Sequence, residues 1–316
     1  MATSSAAARA SFLDPRILAR IDNLQLLART VVEGFMQGIH RSPFLGVSMD
    51  FAEHRPYMPG DDIRRIDWRL YGRTDRFYIK QFEAETNADV AFLLDTSASM
   101  GYGSGDITKL DYGRFLTASL AWFSAGQKDR VGLYAFDGDV VEHVRPSVAH
   151  LEKVLHAVAR VKAQREGRWD RPLDRVGSTF RRRGILVVVS DFYHDPDEIS
   201  ERLGFFRAQG HDVVAFHILD PAEIDFPFTQ AANFQDLETR ELLPVKPEKL
   251  VDAYREQVRE HIDALGRLFG RQQVDYVLLN TSEPLDEALY AYLVFRQHRR
   301  GGSDPARMAL GGSVGR

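Results

Sequence analysis

The chain has 316 residues, 44% of them hydrophobic and 27% charged, which is ordinary globular usage and enough length for two units or one elaborated domain. Its formal charge is −4, from 41 basic and 45 acidic side chains, which argues against a nucleic-acid binder working through bulk positive charge. It has no cysteine, so disulfides, cysteine-ligated zinc, iron–sulfur clusters and thiol nucleophiles are excluded.

No stretch approaches the ~18–20 apolar residues that span a bilayer, and the Ala/Ser-rich start lacks the apolar run of a secretory signal. The sequence therefore reads as cytoplasmic, with no transmembrane segment. Of the basic residues, seven are lysines and 34 arginines, which reads as coding bias. Residues 1–12 and 300–316 read as disordered tails. Asp14-Pro15 predicts a helix start, with an N-cap residue before a proline at the first helical position. Ile17, Ile21, Leu24, Ala28, Val31 and Phe35 then give one apolar face, ending near Gly38. Residues 13–87 thus combine a leading helix with a charged, β-rich subdomain. Between Glu53 and Glu85 there are seven basic and seven acidic residues, so the segment is densely charged yet neutral. Residues 77–82 have strand character.

From residue 88 to 299 the pattern turns regular. Strands are predicted over 88–94, 131–136, 140–144, 184–189, 212–219 and 274–279, and helices over 109–123, 148–161, 196–208, 247–269 and 285–295. Asp137-Gly138-Asp139 marks a hairpin turn. An insertion over 221–246 carries a second hairpin near Phe234 to Val245. The alternation implies an α/β domain, an open and mostly parallel sheet with helices on both faces. In such sheets ligands bind beyond the carboxyl ends of the strands, where the strand order reverses.

Two segments there carry chemistry. Asp95-Thr96-Ser97-Ala98-Ser99 leaves an apolar strand with a carboxylate and two hydroxyls at alternating positions, and Ser190-Asp191 ends a later strand. Asp95, Ser97, Ser99 and Asp191 offer oxygen only, which suits a hard cation: Mg²⁺ first, Mn²⁺ or Ca²⁺ as alternatives. The plainer reading has the serines capping the next helix. Gly101 to Gly105 lacks a following Lys-Ser/Thr and reads as a mobile surface loop. His194 and Asp195 either rim the site or cap a helix. Arg55, Arg64, Arg65 and Arg69 either form internal ion pairs or offer a surface for docking acidic groups.

The D-x-S-x-S spacing with a second aspartate resembles the metal-ion-dependent adhesion site of von Willebrand factor A-like (Rossmann-like) domains. The run Arg55-Pro56-Tyr57-Met58-Pro59-Gly60-Asp61-Asp62-Ile63-Arg64-Arg65-Ile66-Asp67-Trp68, followed by Leu94 to Met100, resembles the bacterial DUF 58 family, a domain of unknown function joined to an A-like domain. One departure stands out. A-like domains supply a further threonine from a loop, and here the matching stretch is Gly167-Arg168-Trp169-Asp170, with Trp169 in the threonine's place and Asp170 as a substitute.

The resemblance implies a non-enzymatic, metal-dependent protein-interaction module in which a partner's acidic side chain completes the coordination of a Mg²⁺ ion. It also implies a partner, a MoxR-type AAA+ ATPase that the chain assists in assembling or maturing protein complexes. The alternatives are a metal-dependent phosphoester hydrolase, which needs a general base that only His194 or Asp195 is placed to supply, and a structural protein with a relict metal site.

Overall fold

The computed structural model describes residues 14–41, 54–57, 68–74, 76–80 and 87–300. Residues 1–12 and 301–316 of the tails expected to be disordered, and the docking candidates Arg64 and Arg65, lie outside those residues, whereas Arg300 closes the last helix. Two helices come first among the described residues, the single-turn α1 (Pro15–Leu18) and the 18-residue α2 (Leu24–Arg41). The Asp14 cap and Pro15 start α1 as the sequence predicts, but the helix does not run on to Gly38. It stops after one turn and restarts behind Asn23, whose side chain accepts the Leu26 amide at 3.0 Å. Strands β1 (His54–Pro56) and β2 (Tyr78–Lys80) pair antiparallel, with α3 (Trp68–Thr74) between them in sequence.

The main sheet contains β3 (Asp89–Asp95), β4 (Arg130–Phe136), β5 (Val140–Ser147), β6 (Gly184–Ser190), β7 (Asp212–Leu219) and β10 (Asp275–Asn280), in the spatial order β10-β7-β6-β3-β4-β5. Five strands are parallel, and β5 returns antiparallel to β4 through the Asp137–Asp139 turn. The helices are α4 (Lys109–Gly126), α5 (Leu151–Arg160), α6 (Asp170–Thr179), α7 (Pro196–Ala208), α8 (Pro221–Asp225), α9 (Pro247–Arg271) and α10 (Asp286–Arg300). Strands β8 (Ala232–Gln235) and β9 (Leu242–Val245) form a separate hairpin within the insertion. This is the von Willebrand factor A-like arrangement: a mostly parallel sheet between two helical layers. Sequence reading missed α6, a short and strongly charged helix buried through Pro172, Leu173 and Val176 alone.

The period of two in a strand explains why the central strands read as unbroken apolar runs. Val90, Phe92 and Leu94 of β3 face one helical layer, while Ala91 and Leu93 face the other. The same split holds for Ile185, Val187 and Val189 against Leu186 and Val188 in β6. The first layer is built from α2, α4, α5 and α10, and the second from α6, α7 and α9. The leading helix is thus part of the main core: Leu27, Val31, Val32 and Phe35 are buried where α2 lies across α4. Among the described residues no helix is long and apolar enough to cross a membrane.

Strand order fixes where the chemistry sits. The chain steps from β3 to β4 on one side and later returns to place β6 on the other, so the order reverses between β3 and β6. Leu94 is level with Val189 in that register, which brings Asp95 and Asp191 to the same edge. Because α2 belongs to the core, Leu27→Ala is expected to cost about 2–5 kcal/mol in urea unfolding, as a truncated, fully buried leucine does. An unchanged midpoint would show that α2 is an appendage.

Candidate functional site

Beyond β3 the backbone turns so that Asp95 is held on both oxygens. The Ser97 amide donates to Oδ1 at 2.8 Å, and the Ser190 hydroxyl donates to Oδ2 at 2.6 Å. Thr96 faces away, its amide and hydroxyl both donating to the Phe136 carbonyl, which pins the turn to β4. Ser97 and Ser99 then meet, their hydroxyl oxygens 3.0 Å apart, and the Ser99 hydroxyl is among the groups that hold the Asp191 carboxyl low. All four sequence-predicted ligands therefore converge, and Asp95, Ser97 and Asp191 are buried.

The charges of the site show a residue that sequence reading missed. Lys109, the first residue of α4, is fully buried, and its ammonium donates to Asp191 Oδ2 at 2.8 Å and to Glu223 Oε1 at 2.6 Å. Burial works against the charged amine, but the charges of Asp191 and Glu223, and the bonds they accept, hold its pKa above the ordinary lysine value. Burial likewise pushes Asp191 upward, and the Lys109 ammonium overrides it, leaving that carboxyl below its usual range. Asp95 has no such partner. Burial and the Asp191 charge push its carboxyl up to about 7. The signal in the sequence was faint: Lys109 is one of seven lysines among 41 basic residues, at the start of a helix and outside any recognisable spacing.

Two aromatic side chains set the Asp191 turn. Phe192 is buried in the left-handed region at φ 49°, a strained position for a side chain this large. Trp169 stacks on it with ring centroids 5.3 Å apart, and Phe269 and His217 meet it edge-on. Trp169 is therefore a core residue that steadies the turn and does not face the serines. The loop residue against Ser97 is Gly167: a Cβ built there would stand 2.9 Å from Ser97 Cβ, closer than real side chains approach. Asp170 opens α6 and pairs with Arg168, away from the other ligands.

Other residues singled out in the sequence go elsewhere. Asp195 caps α7 through the Asp197 amide, and His194 pairs with Glu198. The Gly101–Gly105 loop is not loose: Ser104 donates from its amide (2.9 Å) and hydroxyl (2.5 Å) to the buried Asp220 at the end of β7. Arg55 lies in β1 and Arg69 in α3, apart from the four ligands in sequence.

The donor set fits a hard divalent cation. Two carboxylates and two hydroxyls are gathered at one strand edge, and one ammonium stands against the three carboxyl groups of Asp95, Asp191 and Glu223. Lys109 serves Asp191 and Glu223, and Asp95 is left without a cation. Among the described residues no three His, Cys, Asp or Glu side chains form a metal cage; beside Asp95 and Asp191 the further oxygens gathered here are the Ser97 and Ser99 hydroxyls.

Two outcomes follow from this geometry. Lys109→Met strands two carboxylates without their cation and is expected to cost about 3–5 kcal/mol in urea unfolding; a change below 1 kcal/mol would mean the pair is dispensable. His217, fully buried on β7 with Nδ1 2.7 Å from the Tyr276 hydroxyl, is held neutral by burial, its pKa pushed down to about 3. The unfolded chain takes up that proton below about 6.5, so the stability from keeping His217 neutral is full above pH 6.5. It drains away toward pH 3 at about 1.4 kcal/mol per unit. His217→Gln is expected to flatten the stability curve between pH 6.5 and 4 relative to wild type, and parallel curves would contradict this.

With the geometry in hand, likenesses to other proteins can be stated. An uncharacterized protein of Mycobacterium tuberculosis is 29% identical over 231 residues, 72% of this chain and 72% of that protein. Among solved structures, the chain is similar to an aerotolerance-related membrane protein from Bacteroides fragilis, at 14% identity and a TM-score of 0.47, over 64% of this chain and 96% of that one. It is also similar to the conserved hypothetical protein BatB from Bacteroides thetaiotaomicron, at 14% identity and a TM-score of 0.45, over 67% and 99%. Residues 53–264 match the family described as "Protein of unknown function DUF58", which takes in the charged segment, β3 and β6 with their site, and most of α9. The chain belongs to the DUF58 family.

Proposed function

We propose that the chain is a non-enzymatic, metal-dependent protein-interaction module acting in the cytoplasm. The observation that carries this reading is the convergence of Asp95, Ser97, Ser99 and Asp191 at the reversal of strand order, with too little positive charge to balance them. Ser97 and Ser99 would ligate a Mg²⁺ ion, and Asp95 and Asp191 would hold it directly or through water. Bound there, the ion supplies a Lewis-acidic position for an oxygen from outside. An acidic side chain of a partner protein is the matching ligand, and the partner implied by the DUF58 resemblance is a MoxR-type AAA+ ATPase. The side chains that hydrolysis would call on, His194 and Asp195, are engaged by Glu198 and by the start of α7.

The reading is tested by titrating the metal-free chain with Mg²⁺, Mn²⁺ and Ca²⁺ and following heat and melting temperature. A ligand that binds only the folded state must stabilise it, by about 2.7 kcal/mol at a hundred times its Kd. Wild type is expected to gain stability, and Asp95→Asn to lose that gain while remaining folded in chelator. Capture of the ATPase by wild type, lost with chelator and with Asp95→Asn, is the second expected result. A melting temperature indifferent to all three ions would favour the relict-site reading instead.

A further inference from the structure

The site lacks the oxygen that a loop threonine would bring, and the structure shows what stands in that direction. The loop that crosses the serines is fixed by the Ala98 amide donating to the Arg165 carbonyl at 2.7 Å and by the Arg168 amide donating to the Asp137 carbonyl at 3.1 Å. Residues 162–168 of this loop contain no hydroxyl. Where it passes Ser97 it is a glycine, and the absence of a side chain lets the loop run close against Ser97. Ser97 Oγ lies 3.5 Å from the position a Gly167 Cβ would take, and Glu238 Oε1 lies 3.6 Å from that same position. Glu238 Oε1 also accepts a long hydrogen bond from the Gly167 amide at 3.4 Å.

Glu238 comes from the tip of the β8–β9 hairpin, and the hairpin is built to hold it there. Asp236 accepts the amides of Glu238 at 2.8 Å and Thr239 at 2.9 Å, and Arg240 takes a left-handed conformation to close the turn. At the base, Phe226, Phe228 and Phe234 pack on one another, and Tyr254 of α9 packs on Phe226. Leu237, Thr239 and Arg240 are exposed, whereas Glu238 between them is half-buried, turned toward the loop. Its carboxyl is pushed upward by burial and then by the charges of Asp191 and Glu166. Its Oε1 and the Ser97 hydroxyl border the same point of the loop, on Gly167.

We propose that the β8–β9 hairpin is an internal ligand arm of the metal centre, with Glu238 taking the acidic position over Ser97 that a partner's carboxylate would otherwise fill. This rests on the metal-centre reading above. Once the ion is bound, the chain is self-capped: a partner's acid reaches the ion by displacing Glu238, and the hairpin must then swing away from Gly167.

The test uses the full chain with Mn²⁺ alone as the probe. Affinity is measured by calorimetry, water relaxation reports how many waters the bound ion keeps, and hydrogen exchange is followed in the segments 164–170 and 232–245. Wild type is expected to bind Mn²⁺ and to gain exchange protection in both segments. Glu238→Gln and Glu238→Ala, with melting temperatures in chelator close to wild type, are expected to bind about tenfold more weakly, as loss of a supporting group at a metal site does. They should also show greater water relaxation and no added protection of the hairpin. Equal affinity, relaxation and protection in wild type and both variants would overturn the internal ligand while leaving the metal centre standing. Absence of Mn²⁺ binding to wild type would overturn both.

Discussion

The Lys109 ammonium is the positive charge on which the carboxyl edge of the sheet depends. It sits at the first position of α4, where the helix dipole disfavours a cation, so Asp191 and Glu223 hold it against that field. Its placement follows from packing lower down. Gly113, one turn into α4, lets the helix rest directly on Leu94 and Val189, the residues just before Ser190 and Asp95 on the two strands that flank the strand-order reversal. The Thr108–Asp111 capping box then fixes where the helix begins. A helix seated one methyl farther from the sheet would carry the ammonium away from the carboxylates. Core packing and site electrostatics are therefore one arrangement here, with Glu223 extending it to α8.

The turn after β6 shows the same economy. Phe192 accepts an unfavourable backbone conformation so that Asp191 points at Lys109 and Ser99, and its ring is clamped by Trp169, Phe269 and His217. The strain is local, and the surrounding aromatic packing over-determines it. Trp169, which in sequence reads as the residue displacing a ligand, is better understood as part of this clamp.

Much of the architecture was legible because both faces of the parallel strands are buried. Residues 184–189 and 212–219 could be nothing but central strands, and the helices between them follow from their spacing. Asp95, Ser97, Ser99 and Asp191 were legible because chain-local spacing and a strand end suffice to aim them. Lys109, Glu223 and Glu238 were not, since each owes its position to contacts more than forty residues away, and a single lysine or glutamate carries no spacing signal. The break after α1 was hidden for a different reason: apolar periodicity continues through residues 19–23, and only the Asn23 side chain marks the restart. Arg64 and Arg65 lie outside the described residues, so their choice between ion pairing and docking rests with the sequence.

Complete burial of Lys109 gives the chain a chemical handle. Lys162 and Lys246 are exposed to acylating reagents, whereas the Lys109 amine is enclosed and charged, and so silent toward them. Its acylation requires α4, the Asp191 turn and α8 to part. Footprinting that residue in a mixture of otherwise reactive lysines reads the opening of this edge directly, at a position where no foreign label has to be introduced.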